Sequence, residues 1–441
     1  MQFRMNVSAW VMTGLLLGAG VGFGQELSVT VDPPNGVYAV GQTARWTVAA
    51  KDVPAAAVRD IRYTIKKGGL TLLREGTLTL SNGTAVLEAP FAEPGTLIVE
   101  AAMSLGPTGR TMKALGGAVA APATIVPSAT RPDDFDAFWA AQVAELAKIP
   151  VNPKLEPGES GKTNVDYWTI TMDNIGGSHI RGQVARPTKG GKFPAVLIVQ
   201  WAGVYSLHKG WVTDRAREGW LALNINAHDL PIDKTNTFYQ EQSNGPLKDY
   251  PAIGNDDREA SYFRRMYLSC YQAAQYLAGR DDWDGKVLVV TGGSQGGLQT
   301  LMLAGLHPKI TAALANVPAG CDMLGPDVGR APGWPMWYWK TTGKDAAKVR
   351  QASRYYDVVN FASRIKCPVL VGLGLIDQTC PAAGVLAAIN QIPVPKEVVI
   401  MPTSGHQEVN KSQQAYYERW GSWMGALLAG KPAPLKPFQA P

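Results

Sequence analysis

Val287-Leu288-Val289-Val290-Thr291-Gly292-Gly293-Ser294-Gln295-Gly296-Gly297 is the stretch from which the fold can be read. A β-branched apolar run ends in Gly-x-Ser-x-Gly, and Leu298-Gln299-Thr300-Leu301-Met302-Leu303-Ala304-Gly305-Leu306 then has the composition of a buried helix. Strand, sharp turn and helix follow in that order, with Ser294 at the apex. A turn this tight strains the serine backbone and brings neighbouring segments close together. Gly292 and Gly296 have no Cβ to clash there. The hydroxyl is lifted above the sheet, beside a helix N-terminus whose free N–H groups suit a developing oxyanion. A glycine-rich turn of an ordinary parallel α/β protein is the competing reading, and the rest of the chain must decide.

The chain around it has 441 residues, enough for two or three domains with ample core. Its 46% hydrophobic and 18% charged residues describe an ordinary globular composition. The formal charge of +6 is spread along the chain without a Lys/Arg block, so no nucleic-acid partner is indicated. Arg4 precedes an apolar stretch from Trp10 to Val21, and Gly22-Phe23-Gly24 offers small residues for cleavage. That stretch is short for a bilayer span, so residues 1–24 read as a cleaved secretory signal and the mature protein as periplasmic or secreted, with no membrane partner. Cys270, Cys321, Cys367 and Cys380 are too few for a disulfide framework and fit no metal spacing, so free buried thiols are expected.

Residues 25–125 read as β structure. Alternating segments such as Leu27–Val31 and Ala44–Val48 are separated by turn signals at Asp32-Pro33-Pro34-Asn35-Gly36, Lys67-Gly68-Gly69, Ser81-Asn82-Gly83 and Glu93-Pro94-Gly95. Strands at this spacing suggest a small immunoglobulin-like β-sandwich. It holds no histidine or cysteine, so chemistry is not expected there, and a spacer or packing module is preferred to sugar binding. Ala118–Pro127 reads as a linker. Residues 126–430 then alternate strands and helices: an antiparallel pair near 168–172 and 179–185, and a buried run Phe193–Gln200. Helix 209–218, strand 220–226, a long polar loop 229–255 and helix 258–278 follow. Beyond the elbow come strands 310–317, 368–374 and 397–401 and helix 412–428, giving a doubly wound, mostly parallel sheet. Residues 431–441 form a Pro-rich tail.

An activated serine needs a histidine base and an acid that fixes the imidazole tautomer. The chain has five histidines. His179, His208 and His228 precede the nucleophile, and His307 ends the helix after it. Only His406 follows the last strand, in Thr403-Ser404-Gly405-His406. Asp377 stands just past strand 369–374. Ser, then Asp, then His, each at the carboxyl end of a strand, is the order expected of an α/β-hydrolase. One oxyanion N–H is expected from Gln295. The other should come from Trp201-Ala202-Gly203-Val204-Tyr205, with Val204 favoured. Trp334 and Trp337 lie in an aromatic run before Asp377 and are candidate platforms for a sugar ring, with packing inside a cap as the rival reading.

With these residues in view, the chain resembles the acetyl xylan esterases and cephalosporin C deacetylases of carbohydrate esterase family seven. The resemblance spans roughly 130–425. It rests on Phe138-Trp139, Gly-Gly-Ser-Gln-Gly-Gly at 292–297, Ile365–Leu370, Gly374-Leu375-Ile376-Asp377-Gln378-Thr379-Cys380-Pro381 and Gly405-His406. It implies Ser294 as nucleophile, His406 as base, Asp377 as orienting acid, and deacetylation of small acetylated sugars with neither metal nor cofactor. Three departures stand out. Ala202-Gly203-Val204 replaces the family's His-Gly-Tyr, so Tyr205 must supply any tyrosine in the acyl pocket. His228-Asp229-Leu230 replaces its Arg-Gly-Gln brace, and Gln407 follows His406 where members carry Glu. The added β domain argues against carrying over the family's hexameric ring, and homo-oligomerisation is left open. The reading is an exported serine esterase acting on a small-molecule or oligosaccharide acetyl ester. The alternatives are an esterase or peptidase for another small substrate and a weakly catalytic carbohydrate-binding relative.

Overall fold

The computed structural model describes residues 26–53, 61–105 and 110–438, so the expected signal segment lies outside the described residues. The N-terminal part contains β1 (Glu26–Asp32), β2 (Val37–Tyr38), β3 (Thr43–Lys51), β4 (Ile61–Lys67), β5 (Thr71–Leu78), β6 (Thr84–Pro90), β7 (Gly95–Leu105) and β8 (Arg110–Ala120). They form a three-stranded sheet, β1-β3-β6, and a five-stranded sheet, β2-β8-β7-β4-β5. Alternation explains how the two meet. On β3, Ala44, Trp46 and Val48 turn inward, and they share one apolar core with Ile61, Ile65, Leu97 and Val99 of the other sheet. The expected linker begins too early. Ala118, Val119 and Ala120 are fully buried strand residues, and the segment after them is tied down by Asn390, which donates to the carbonyls of Pro122 and Ile125.

The larger sheet comprises β9 (Lys154–Gly158), β10 (Val165–Asp173), β11 (His179–Pro187), β12 (Phe193–Ile198), β13 (Leu221–Ile225), β14 (Trp283–Gly293), β15 (Ala312–Asn316), β16 (Val369–Gly374) and β17 (Lys396–Met401). Its order is β17-β16-β15-β14-β12-β13-β11-β10-β9. Pairing is parallel from β13 through β12 to β17 and antiparallel among β9, β10, β11 and β13. Every residue of β13, β15 and β16 is buried, as expected of strands covered on both faces, and their sequences are apolar except for Asn224 and Asn316. Helix Asn236–Asn244, capped by the Thr235 hydroxyl, stands inside the segment expected to be loop. It buries only Tyr239, so it carries no apolar periodicity from which a helix could be read. All four cysteines are free and buried. Among the described residues no helix is long and apolar enough to cross a membrane.

Candidate active site

Ser294 follows β14 directly and opens helix Gln295–Leu306 with φ 57° and ψ −121°. Few non-glycine residues tolerate that conformation, and here the packing enforces it. A Cβ on Gly292 would lie 2.7 Å from the Gly296 carbonyl carbon, and one on Gly296 would lie 2.6 Å from the Val199 carbonyl oxygen. The Ser294 N–H donates to Asn316 at 2.9 Å, and its carbonyl accepts from Leu298 and Ala319. Serine at a helix N-cap normally folds its hydroxyl back onto the helix. Ser294 makes no such cap bond. Its Oγ faces His406 Nε2 at 2.8 Å instead.

His406 Nδ1 lies 2.9 Å from Asp377 Oδ2. The other carboxylate oxygen accepts the backbone N–H groups of Thr379 and Cys380 at 2.8 and 2.7 Å, and Asp377 is fully buried. The loop after β17 is held by Gln413, whose side chain donates to the carbonyls of Gly405 and His406 while accepting from Asn316. Thus Ser294, His406 and Asp377, from three loops at the carboxyl edge of the sheet, stand in one hydrogen-bonded line. A carboxylate can only accept, so Nδ1 carries the ring proton and Nε2 is left to accept from the serine. Cys380 belongs to the same cluster, its Sγ within 4.8 Å of Asp377 and His406 ligand atoms. Burial pushes that thiol well above its ordinary range and favours its neutral form.

The first N–H of the elbow helix, that of Gln295, has no partner available within the helix. Its side chain is turned away and fully buried, accepting from the Tyr250 hydroxyl at 2.5 Å. Tyr250 also accepts from the Gly203 N–H at 3.3 Å and so joins the elbow to the loop after β12. His228 grips the same glycine from the other side: Nε2 donates to the Gly203 carbonyl at 3.0 Å and Nδ1 accepts from Tyr262 at 2.6 Å. Arg265 in turn donates to Tyr262 and to the Ala227 carbonyl. These residues brace the loop after β12. Val204, next to this clamped glycine, is partly buried against the main core.

Tyr205 spends its hydroxyl inside the loop, on the Gln200 side chain and the Trp201 carbonyl, both at 2.9 Å. Its ring stacks on Trp201, which is 46% exposed and was not singled out from sequence. Trp334 is half-buried, stacked on Phe263, and its N–H donates to Thr379 beside the acid. Trp337 requires a correction. It is fully buried between Phe263 and Tyr356 with its indole N–H given to Pro251, so it is a packing residue and offers no face to a sugar.

Three buried groups with large shifts couple stability to pH. Burial holds His228 and His307 down at about 4 and raises Asp357, beside Asp322, to about 7. Each histidine contributes stability present above its unfolded value of 6.5 and lost as pH falls towards 4. Asp357 works oppositely, with stability present below 3.8 and lost as pH rises through about 7. Between 4 and 6.5 the two histidines oppose Asp357, so these groups together should make stability rise with pH. Thermal unfolding across pH 4.5–8 is expected to peak near 6.5, and Asp357→Asn should remove the decline above it.

The strained elbow, the mostly parallel sheet and the placement of the loops define an α/β-hydrolase. Comparison with known proteins narrows this. The family described as acetyl xylan esterase (AXE1) matches residues 123–423. Acetyl esterase Axe7A of Xylanibacter ruminicola is 33% identical over 372 residues, covering 82% of each chain. Residues 123–441 make up less than three quarters of the sequence, so that alignment reaches into the N-terminal β structure. Among solved structures, acetyl xylan esterase 1 from Thermoanaerobacterium sp. JW/SL YS485 superposes with a TM-score of 0.58 at 23% identity, covering 67% of this chain and 97% of that one. The acetyl xylan esterase from Paenibacillus sp. R4 gives 0.56 at 24%, covering 67% and 96%. These two likenesses establish the fold. The chain belongs to the acetyl xylan esterase family and is a carboxylic-ester hydrolase.

Proposed function

We propose that this protein is an exported serine esterase that removes O-acetyl groups from acetylated sugars such as xylan fragments, using Ser294, His406 and Asp377. The observation that carries the proposal is the line Asp377–His406–Ser294, at 2.9 and 2.8 Å, set on a strained elbow in a member of this family. As His406 Nε2 takes its proton, Ser294 Oγ bonds to the acetyl carbonyl carbon. The N–H groups of Gln295 and Val204 receive the negative oxygen. When the tetrahedral intermediate collapses, the C–O bond to the sugar breaks, and the sugar oxygen leaves with the proton from His406. A water deprotonated by His406 then attacks acetyl-Ser294, and acetate departs with Ser294 restored. Asp377 stays ionised throughout and stabilises the imidazolium. No step requires a metal or a cofactor.

Trp201 and Trp334 offer the ring faces for a sugar near this centre, and Tyr205 shapes the loop between them. Export follows from reading residues 1–24 as a signal that is removed. The two sheets of residues 26–120, antiparallel except for the short β2–β8 pair and sharing one core around Trp46, support the immunoglobulin-like description of the domain before the hydrolase. Incubating the protein with acetylated xylo-oligosaccharides tests the proposal: acetate release is expected, and a folded protein that cleaves a chromogenic acetate ester but no acetylated sugar would move the substrate elsewhere. Tyr250→Phe tests the loop. It removes the acceptor for the Gly203 N–H and the donor to Gln295, and kcat should fall about 10-fold with KM nearly unchanged.

A further inference from the structure

The N-terminal β domain meets the hydrolase at the loop that carries Asp377. Gly36 and Gly117 face Leu375, two residues before the acid and almost fully buried. A Cβ on Gly117 would lie 2.6 Å from the Leu375 carbonyl carbon, and one on Gly36 would lie 2.8 Å from its Cδ1. At Gly117 backbone thus rests on backbone, with no room for a methyl group. From there the loop leads straight to the acid: Leu375 donates to Met401, Ile376 to Ser404, and Asp377 to Gly374.

A second contact reaches the same loop from the other side. Gly68 accepts from Ala331 at 2.8 Å, Gly69 pairs with Arg330, and the Thr71 hydroxyl donates to Gly329 at 3.0 Å. The 329–334 segment pinned in this way delivers Trp334, whose N–H donates to Thr379 at 2.7 Å. Thr379 is one of the two backbone donors to Asp377 Oδ1. The acid loop is held at Leu375 directly by the β domain and at Thr379 through the 329–334 segment.

We infer that the N-terminal β domain is a positioning module of the active site, with Gly117 setting the height of the Asp377 loop against His406. The inference rests on the reading of Asp377 as the orienting acid. It replaces the role of spacer with a mechanical one: displacement of Leu375 is passed two residues along to a carboxylate that must stay within hydrogen-bond reach of the imidazole. Misplacement on the ångström scale is enough to cost about 100-fold in rate.

Adjacent glycines supply the test and its control. Gly117 faces the acid loop, whereas a Cβ on Gly116 would overlap Val29 and lie 2.8 Å from Trp46 Cδ1, inside the β domain's own core. Full-length Gly117→Ala, Gly116→Ala and Asp377→Asn are compared for kcat and KM on a chromogenic acetate ester. The far-downfield proton resonance of His406 Nδ1–H and the thermal transition are recorded for each. Gly117→Ala is expected to lower kcat about 10- to 100-fold with KM within about twofold, and to weaken the downfield resonance. Gly116→Ala should lower the transition temperature yet keep kcat and the resonance. Wild-type kcat and resonance in Gly117→Ala, or equal losses in both glycine variants, would overturn the inference. Normal turnover in Asp377→Asn would instead overturn the triad reading beneath it. If Gly117→Ala does not fold, Leu375→Ala replaces it. Trimming the side-chain end that Gly36 meets should lower kcat at constant KM, and an unchanged kcat would overturn the inference.

Discussion

Ser294→Ala is expected to lower kcat on acetate esters by on the order of a million-fold while leaving the protein folded. Alanine keeps the Cβ, so the backbone at φ 57° meets the same strain as before. The serine hydroxyl caps no helix; its hydrogen bonds are to His406 Nε2 and the Cys380 side chain. Removal therefore deletes the nucleophile with little cost to packing. Steady-state assay of the purified variant, with its thermal transition compared to wild type, checks both halves of the expectation. Substantial activity in the folded variant would assign the nucleophile elsewhere.

Asp377→Asn should cost roughly 10⁴-fold in kcat for a reason visible in the hydrogen bonds. Oδ1 of Asp377 accepts two backbone N–H groups, from Thr379 and Cys380. An asparagine must keep its carbonyl oxygen on that side, since an amide N–H₂ facing two donors would leave all of them unpaired. The amide N–H₂ then points at His406 Nδ1, which becomes an acceptor, and the ring proton moves to Nε2. That nitrogen now faces the Ser294 hydroxyl as a donor and cannot take its proton. The variant should fold, bind substrate with a similar KM, and fail in turnover. Near-normal kcat would show that Asp377 does not set the tautomer.

How much of this was legible in the sequence follows from the kind of constraint involved. The elbow was legible because its glycines are steric necessities: backbone passes within 2.7 Å of where their Cβ atoms would be. His406 and Asp377 could be found because the chain has only five histidines and the fold imposes an order on strand ends. The brace of the loop after β12 was hidden. Tyr250 comes from a polar segment without periodicity, and His228 was set aside because it precedes the nucleophile, yet the two converge on Gly203 through the fold alone. Trp337 and the half-buried Trp334 belong to the same aromatic run, and tertiary contacts with Phe263 and Tyr356 decide that Trp337 is core. Gly36 lies in a turn signal and Gly117 inside a strand. Their use against Leu375 depends on how two domains meet, which no local pattern encodes.

The most direct test of the account is to mix the enzyme with an acetate ester, quench in acid within the first turnovers, and weigh the intact protein and its peptides. Attack by Ser294 predicts a single acetyl group on the peptide containing that residue, absent from Ser294→Ala and gone once substrate is exhausted. Continued acetate release with an unmodified Ser294, or with the acetyl group on another residue, would contradict the mechanism.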